Sequence, residues 1–405
     1  MPTVTWSSST PGVDPPVLRA RVIGPVTAVS RDEWNALDLG GRPFLRHEFL
    51  SAAEDSGSAT PDTGWTPAHI VAESGGALVG AMPLYVKTHS WGEFVFDFAW
   101  ARAYEQHGVA YYPKLVAAVP FTPAAGPRLL VRPGQDATAV RTSLLAAARD
   151  LATELDASSL HVLFAGEDEN DWLASQGLIP RMDCQFHWEN RGFESFEDFL
   201  ATFTAEKRKK VRRERRRVAE AGIRFRELRG GELDEALLDT VYQLHARTFA
   251  ERGNPPYFTP AFFGALARDL PDALMVQLAV LDEVPVACAV FLRGTDTLYG
   301  RYWGAMADFH SLHFETCYYQ GIDYCIREGL ARFEPGTQGE HKVARGFAPT
   351  AVWSAHEIRH SGFRVAVAEY LERERDHVRA YMDAVRAHVP FRRAEPAITL
   401  RPPSR

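Results

Sequence analysis

The sequence predicts an α/β (α+β) chain of two tandem domains, each a mixed, mainly antiparallel sheet flanked by helices. Two observations carry this reading. "AHIVAESGGALVGAMPLYVK" (68–87) and "MVQLAVLDEVPVACAVFLRG" (275–294) both read as strand, tight turn, strand, with apolar and β-branched runs bounded by turn formers. Each hairpin is preceded by helical sequence and followed by a third strand, a helix and a further strand. A chain of 405 residues with 46% hydrophobic content is also long enough to bury two cores.

In chain order, residues 1–20 are a Ser/Pro-rich leader expected to be disordered. The first domain is placed at 21–190, with helical sequence at 31–55, the first hairpin, the aromatic run "FVFDFAWARAYEQHG", the strand-like "KLVAAVPF" and an amphipathic helix at 136–156. The boundary is read in "ENRGFES", 189–195, and the second domain spans 191–390. It opens with the apolar stripe of "FESFEDFLATF", read as continuing into a basic helix at 205–221 that ends at Gly222. A helix at 233–252, the second hairpin, the strand "TLYGRYWGA", the helix "LHFETCYYQGIDYCIREGL" and the short strand "ARFEP" follow, and 391–405 is a tail. No run approaches the roughly 20 apolar residues of a membrane-spanning helix, and the N-terminus lacks a signal-peptide pattern. Cys184, Cys288, Cys317 and Cys325 form no CxxC pair. A reducing cytoplasm is therefore expected, and neither CxxC nor HExxH spacing points to a metal.

Charge is distributed unevenly. "KRKKVRRERRR" (207–217) has nine basic residues and one acid in a chain of net charge −7, which leaves the other residues at −15. On a helical wheel Val211, Glu214 and Val218 share one side and the cations spread over the rest. Cations at this density repel one another unless phosphates or counterions neutralise them. Lys207, Arg208, Lys209, Lys210, Arg212, Arg213 and Arg216 are therefore candidates for gripping a nucleic-acid backbone, a solvated helix end being the rival reading.

Several strings carry a resemblance: "YYPKLVAAVPFTPAAGPRLL", "CYYQGIDYCIREGLARFEPGTQGEHKVARGF", "SAHEI" and the basic helix. From about residue 30 to 390 the chain resembles the FemAB-like, peptidoglycan-biosynthesis-related branch of the GNAT acyltransferase superfamily. The resemblance implies two GNAT-like domains and an acyl transfer. Fem transferases move an aminoacyl group from charged tRNA to an amine, so the expected partners are aminoacyl-tRNA, as co-substrate, and an amine acceptor, either a cell-wall precursor or a small metabolite, with no bound cofactor. An acyl-CoA-dependent N-acyltransferase and an inert RNA-binding or scaffold protein are the alternatives. A CoA site needs a glycine-rich turn of the form R/Q-x-x-G-x-G/A leading into a helix N-terminus. In "GRYWGAMADFHSLHFE", Arg301 and Gly304 match its first half, but Met306 stands where Gly or Ala is required.

Four groups of residues are candidates for the chemistry. The loop "EPGTQGEHKVARG" (334–346) concentrates Gln338, Glu340, His341, Lys342 and Arg345 after a strand, where catalytic groups collect. Glu340 or His341 is expected to take the acceptor's proton, and Lys342 or Arg345 to hold the oxyanion. Glu315, Tyr318, Gln320 and Asp323 put more polar groups on the following helix than a simple core needs, with Glu315 also a catalytic candidate and a helix-dipole partner. Tyr302 lies on the preceding strand. In the first domain Asp97, Glu105, Tyr112, Lys114 and Arg128 read either as an acceptor pocket or as interdomain core.

Overall fold

The computed structural model describes residues 18–337 and 339–392, so the leader up to residue 17, Gln338 and the tail from residue 393 lie outside the described residues. In the first half the strands are β1 (Arg19–Val22), β2 (Trp65–Pro67), β3 (Ile70–Ser74), β4 (Ala77–Met82), β5 (Leu84–Lys87), β6 (Lys114–Ala117), β7 (Leu130–Val131), β8 (Ser159–Ala165) and β9 (Ile179–Glu189). The helices there are α1 (Arg31–Asn35), α2 (His47–Asp55), α3 (Phe98–Gln106), α4 (Ala137–Glu154) and α5 (Glu167–Ser175). The second half holds α6 (Phe196–Ala201), α7 (Ala205–Glu220), α8 (Glu235–Ala250) and α9 (Pro260–Asp269), with β10 (Arg224–Arg229), β11 (Leu274–Leu281), β12 (Val284–Arg293) and β13 (Thr297–Ala305). Then come α10 (Leu312–Phe314), a π turn (Glu315–Tyr319), α11 (Gln320–Arg327), β14 (Arg332–Glu334), a 3-10 turn (Glu340–Arg345), β15 (Ala348–Ile358) and α12 (Ser361–Arg386).

Both expected hairpins are present, and most pairings are antiparallel. The first is bent between two sheets: β3 and β4 join β1 and β7 in a four-stranded sheet, while β2 and β5 belong to an eleven-stranded one. That larger sheet runs through both halves in the order β10-β11-β12-β13-β14-β9-β15-β8-β6-β5-β2. The halves therefore exchange their closing strands: β9 of the first half pairs with β14, and β15 of the second pairs with β8. The core is shared in the same way. Phe44 meets Tyr299 edge-on at 4.8 Å and Phe49 meets Phe262 at 5.3 Å.

The basic stretch is helical, with Val211, Glu214 and Val218 as its buried stripe, but it is not continuous with the apolar segment before it. The Thr204 amide donates to the Pro390 carbonyl at 2.9 Å and the Arg392 amide to the Thr202 carbonyl at 2.8 Å. This pairing with a distant segment takes the backbone groups that a continuing helix would use, so α6 stops and α7 starts afresh.

Candidate active site

β13 and β14 run parallel and pair only at Thr297–Tyr299 with Arg332–Glu334. Beyond Tyr299 the ladder pairing stops, and a cavity of about 410 Å³ is lined by the chain on both sides, from Gly300 and from Pro335. Its walls are Ala289, Val290 and Phe291 of β12, Gly300–Trp303 of β13, and Thr248, Phe249, Arg252, Asn254 and Tyr257 around the end of α8. The helix after β13 adds His313, Cys317 and Tyr318, and the chain after β14 adds Pro335, Gly336, Thr337, His341 and Lys342. Phe94 and Pro123 reach in from the first half. The π turn places Tyr318 and Cys317 on this wall, in keeping with the frequent occurrence of such turns at functional sites.

Lys342 is buried and its Nζ donates to the Gly336 carbonyl at 2.7 Å. Burial pulls its pKa from the ordinary lysine range down to about 7. The His341 Nε2 lies 2.8 Å from the Tyr318 hydroxyl, and burial followed by the charges of Arg345 and Lys342 lowers its pKa. Burial, with His341 beside it, brings His313 down to about 4, so it is neutral at physiological pH. The Tyr302 hydroxyl is buried beside Arg301 without a hydrogen bond of good geometry, and burial raises its pKa to about 12.

The structure brings Tyr302, Tyr318, His341 and Lys342 together and takes the other candidates elsewhere. Arg345 is buried away from the cavity: one nitrogen donates to both Glu214 oxygens at 2.9 and 3.0 Å, the other to the His341 carbonyl at 2.7 Å. It is a strut between α7 and the 340–345 turn, not a free oxyanion donor. Tyr319 also donates to Glu214. Glu315 is held by Arg215 at 3.2 Å and Gln320 at 2.7 Å, and burial raises its pKa. Gln320 is thereby occupied too. Glu340 accepts from Tyr381 at 2.8 Å on the surface, and Asp323 lies 4.0 Å from Arg327, also on the surface. Gln338 is outside the described residues.

The first-half candidates form no part of the cavity. Lys114 is fully buried, donating to Ser90 at 2.9 Å, Glu93 at 2.8 Å and also to Asp97, while Tyr112 shares a 2.8 Å hydrogen bond with Ser90. Against the effect of burial, Lys114 holds Asp97 down at about 2. Arg128 donates to the carbonyls of Ala124, Gly126 and Pro127, and Glu105 is exposed on α3. Phe94, Arg252, Asn254, Tyr257 and Trp303 were not anticipated. The "ERGNPPYF" turn between two helices was the one local signal for three of them.

The segment that only half matches a CoA-type phosphate turn is built as a strand. Arg301 and Gly304 lie within β13. The Arg301 guanidinium donates to the Phe121 carbonyl at 2.6 Å, and a Cβ at Gly304 would lie 1.9 Å from the Leu244 carbonyl oxygen, so this glycine serves the packing of α8 on the sheet. The Met306 amide still pairs with the sheet, donating to Val286 at 2.8 Å. On α7, Lys209, Lys210, Arg212, Arg213 and Arg216 are exposed, and Lys207 and Arg208 are half-buried. Arg212 pairs with Glu197 and Arg216 with Glu220. Among the described residues Lys209, Lys210 and Arg213 have no carboxylate within 4 Å. No helix of the described residues is long and apolar enough to cross a membrane.

A family model named FemAB-like and described as peptidoglycan biosynthesis/recognition matches residues 25–393. No curated protein matches the sequence. Among solved structures, FemX is 13% identical, with 84% of this chain and 98% of that chain covered at a TM-score of 0.52. L-PGS from Bacillus licheniformis is 10% identical over 87% of this chain and 98% of that one, at 0.49. A tandem GNAT protein from the clavulanic acid biosynthesis pathway is 14% identical over 84% and 98%, at 0.44. At these identities the likeness to FemX is one of fold.

Proposed function

Because the chain belongs to the FemAB-like family, we propose that it is a cytoplasmic acyltransferase that makes an amide bond, moving an aminoacyl group from charged tRNA to an amine acceptor, either a cell-wall precursor or a small metabolite. The observation that carries this reading is the buried Lys342 with its pKa near 7 on the wall of the cavity. An acceptor amine must reach the ester carbonyl unprotonated. Arg252 and Arg301 line the cavity, and their charges lower the pKa of an amine bound beside them. Lys342 in its free-base form takes the proton as the nitrogen attacks the carbonyl carbon. Tyr302, a neutral phenol with no strong partner, is the donor for the oxyanion that forms. When the tetrahedral species collapses, the C–O ester bond breaks and the ribose oxygen receives the proton from Lys342.

The choice of tRNA over CoA is supported by the free cations of α7 and by the place of Gly304 within a strand, packed against α8, where a glycine-rich pyrophosphate turn would be needed. The test is incubation with a pool of charged tRNAs and candidate amines. Loss of one aminoacyl ester with appearance of its amide is the expected result. Intact esters together with consumption of an acyl-CoA would reassign the donor.

A further inference from the structure

We propose that the cavity takes an anionic group, a carboxylate or phosphate on an apolar or planar body; this deepens the reading of the cavity as the transfer site and rests on it. Two arginines, Arg252 and Arg301, and Lys342, only about half protonated at neutral pH, line the cavity, and among the described residues no aspartate or glutamate does. No carboxylate lies within 4 Å of any of the three among the described residues. Elsewhere the chain gives its shielded cations internal partners: Lys114 has Glu93 and Asp97, Arg345 has Glu214, Arg215 has Glu315 and Arg181 has Glu374. Where it does not, backbone carbonyls take up the donors, as around Arg128. Arg252 is exposed at the cavity mouth, where water solvates it, and the half-buried Arg301 uses one nitrogen on the Phe121 carbonyl.

Arg301, half-buried beside apolar walls with one nitrogen on a carbonyl, keeps donors for an anionic ligand, and the exposed Arg252 adds positive charge at the mouth. Phe94, Phe249, Tyr257, Phe291 and Trp303 are among the lining residues, so the walls also suit a planar or apolar body. The buried acids beside the wall residues do not alter this balance: Glu315 is held by Arg215. Glu334 stands directly before the wall residues Pro335 and Gly336, both its oxygens lack partners, and burial raises its pKa to about 7 despite the charge of Arg42 and other arginines. It is therefore only about half ionised at neutral pH. Two sources fit the chemistry: the phosphate of a donor's terminal nucleotide, or a carboxylate on the aminoacyl group or acceptor.

Two isosteric probe pairs separate them: adenosine 5′-monophosphate against adenosine, and N-acetylglutamate against N-acetylglutamine. Dissociation constants are measured by NMR titration at fixed ionic strength for wild type, Arg252→Gln and Arg301→Gln. In at least one pair the anion is expected to bind about tenfold tighter or more than its neutral isostere, a gap that one of the two substitutions reduces to about threefold or less. The pair that shows the gap names the source. Equal binding within both pairs, a gap that survives both substitutions, or no anion binding up to about 10 mM overturns the inference. Should Arg301→Gln fail to fold, contacts from the bound anion to the Tyr302 and Trp303 rings decide in its place: with Arg252→Gln unaltered, their absence is equally fatal. Aminoacyl transfer without charge discrimination removes this inference alone, and discrimination without any transfer removes the aminoacyltransferase reading alone.

Discussion

The two halves of the molecule reach the same point in the same way and then diverge. In each, a strand that follows the hairpin pairs in parallel with a later one: β6 with β8 at Leu115–Ala117, and β13 with β14 at Thr297–Tyr299. In the first half the chain closes the space beyond that pairing itself. Residues 118–126 are almost wholly buried, the Gly126 amide returns to the Phe164 carbonyl at the end of β8 at 3.0 Å, and Arg128 fastens the turn by its carbonyls. In the second half the ladder pairing stops and a cavity takes the place of a plug. Charge follows the same division. Lys114 sits among Ser90, Glu93 and Asp97, whereas Lys342 sits against one backbone carbonyl. The first half also buries a lysine with its pKa near 7, Lys87, but packs it on the Trp65 ring. The difference teaches that a duplicated frame keeps its architecture while the second copy sets such an amine on the wall of a cavity.

The sharpest test of this division replaces Lys342 and Lys114 in turn with methionine. Lys342→Met should lower turnover by about 10²- to 10⁴-fold and leave thermal stability equal or improved, since it removes a desolvated amine. Turnover of the wild type should rise with pH through about 7 as Lys342 loses its proton. The stability sign agrees. A lysine whose folded pKa lies below its unfolded value binds fewer protons when folded, so its penalty is greatest below pH 7 and fades as pH climbs toward the unfolded value. Denaturation of wild type and variant from pH 6 to pH 10 should therefore show the two curves converging, and a constant gap would break the assignment.

Lys114→Met should do the opposite. It strands two buried carboxylates, a loss of about 3–5 kcal/mol in unfolding free energy, while turnover per folded molecule stays near wild type. Asp97, held at about 2, contributes stability above its unfolded pKa that is lost as pH falls through 2. In the Lys114 variant that acid limb should move to higher pH. A variant that is stable but inactive would place this cluster in the chemistry and erase the contrast between the halves.

How much of this was legible in the sequence depended on the range of the interactions. The hairpins and the buried stripe of α7 are set by neighbours a few residues apart, so alternation and helical period reveal them. Tyr302, Tyr318, His341 and Lys342 were legible singly, as polar groups on a strand, a helix and a loop, but their convergence on one cavity was not. Arg345 and Glu315 were misread because their partners, Glu214 and Arg215, lie 131 and 100 residues away, and no local pattern reports them. The exchange of β9 and β15 between the halves was hidden for the same reason, as was the role of Phe94.

The strut from α7 to the turn should show an intermediate effect. Glu214→Gln keeps the shape but weakens the clamp on Arg345, and with it the backbone that presents His341. Turnover should fall by about tenfold, with KM for donor little changed, because the loss is one of positioning. A shifted pH profile would accompany it, since the charge of Arg345 is felt by His341. Equal changes in KM and none in turnover would show instead that Glu214 only orients α7.

The smallest effect on the folded protein is expected at its most charged surface. Lys209, Lys210 and Arg213 are exposed and, among the described residues, have no ion pair, so they form a third class of cation, neither paired inside nor lining the cavity. Changing all three to glutamine retains helix propensity, and exposed substitutions of this kind shift stability by about 0.5 kcal/mol or less each. Donor binding should respond differently. Each lost phosphate contact reduces the slope of log K against log salt by about 0.7 to 0.9, so the triple variant should be flatter by roughly 2 to 3. Affinity should fall by a similar factor for every tRNA, because phosphate contacts carry no base information. Turnover at saturating donor should persist, since the cavity is untouched. An unaltered salt slope would make α7 a solvated face, and the case for a tRNA donor would then rest on the build of β13 alone.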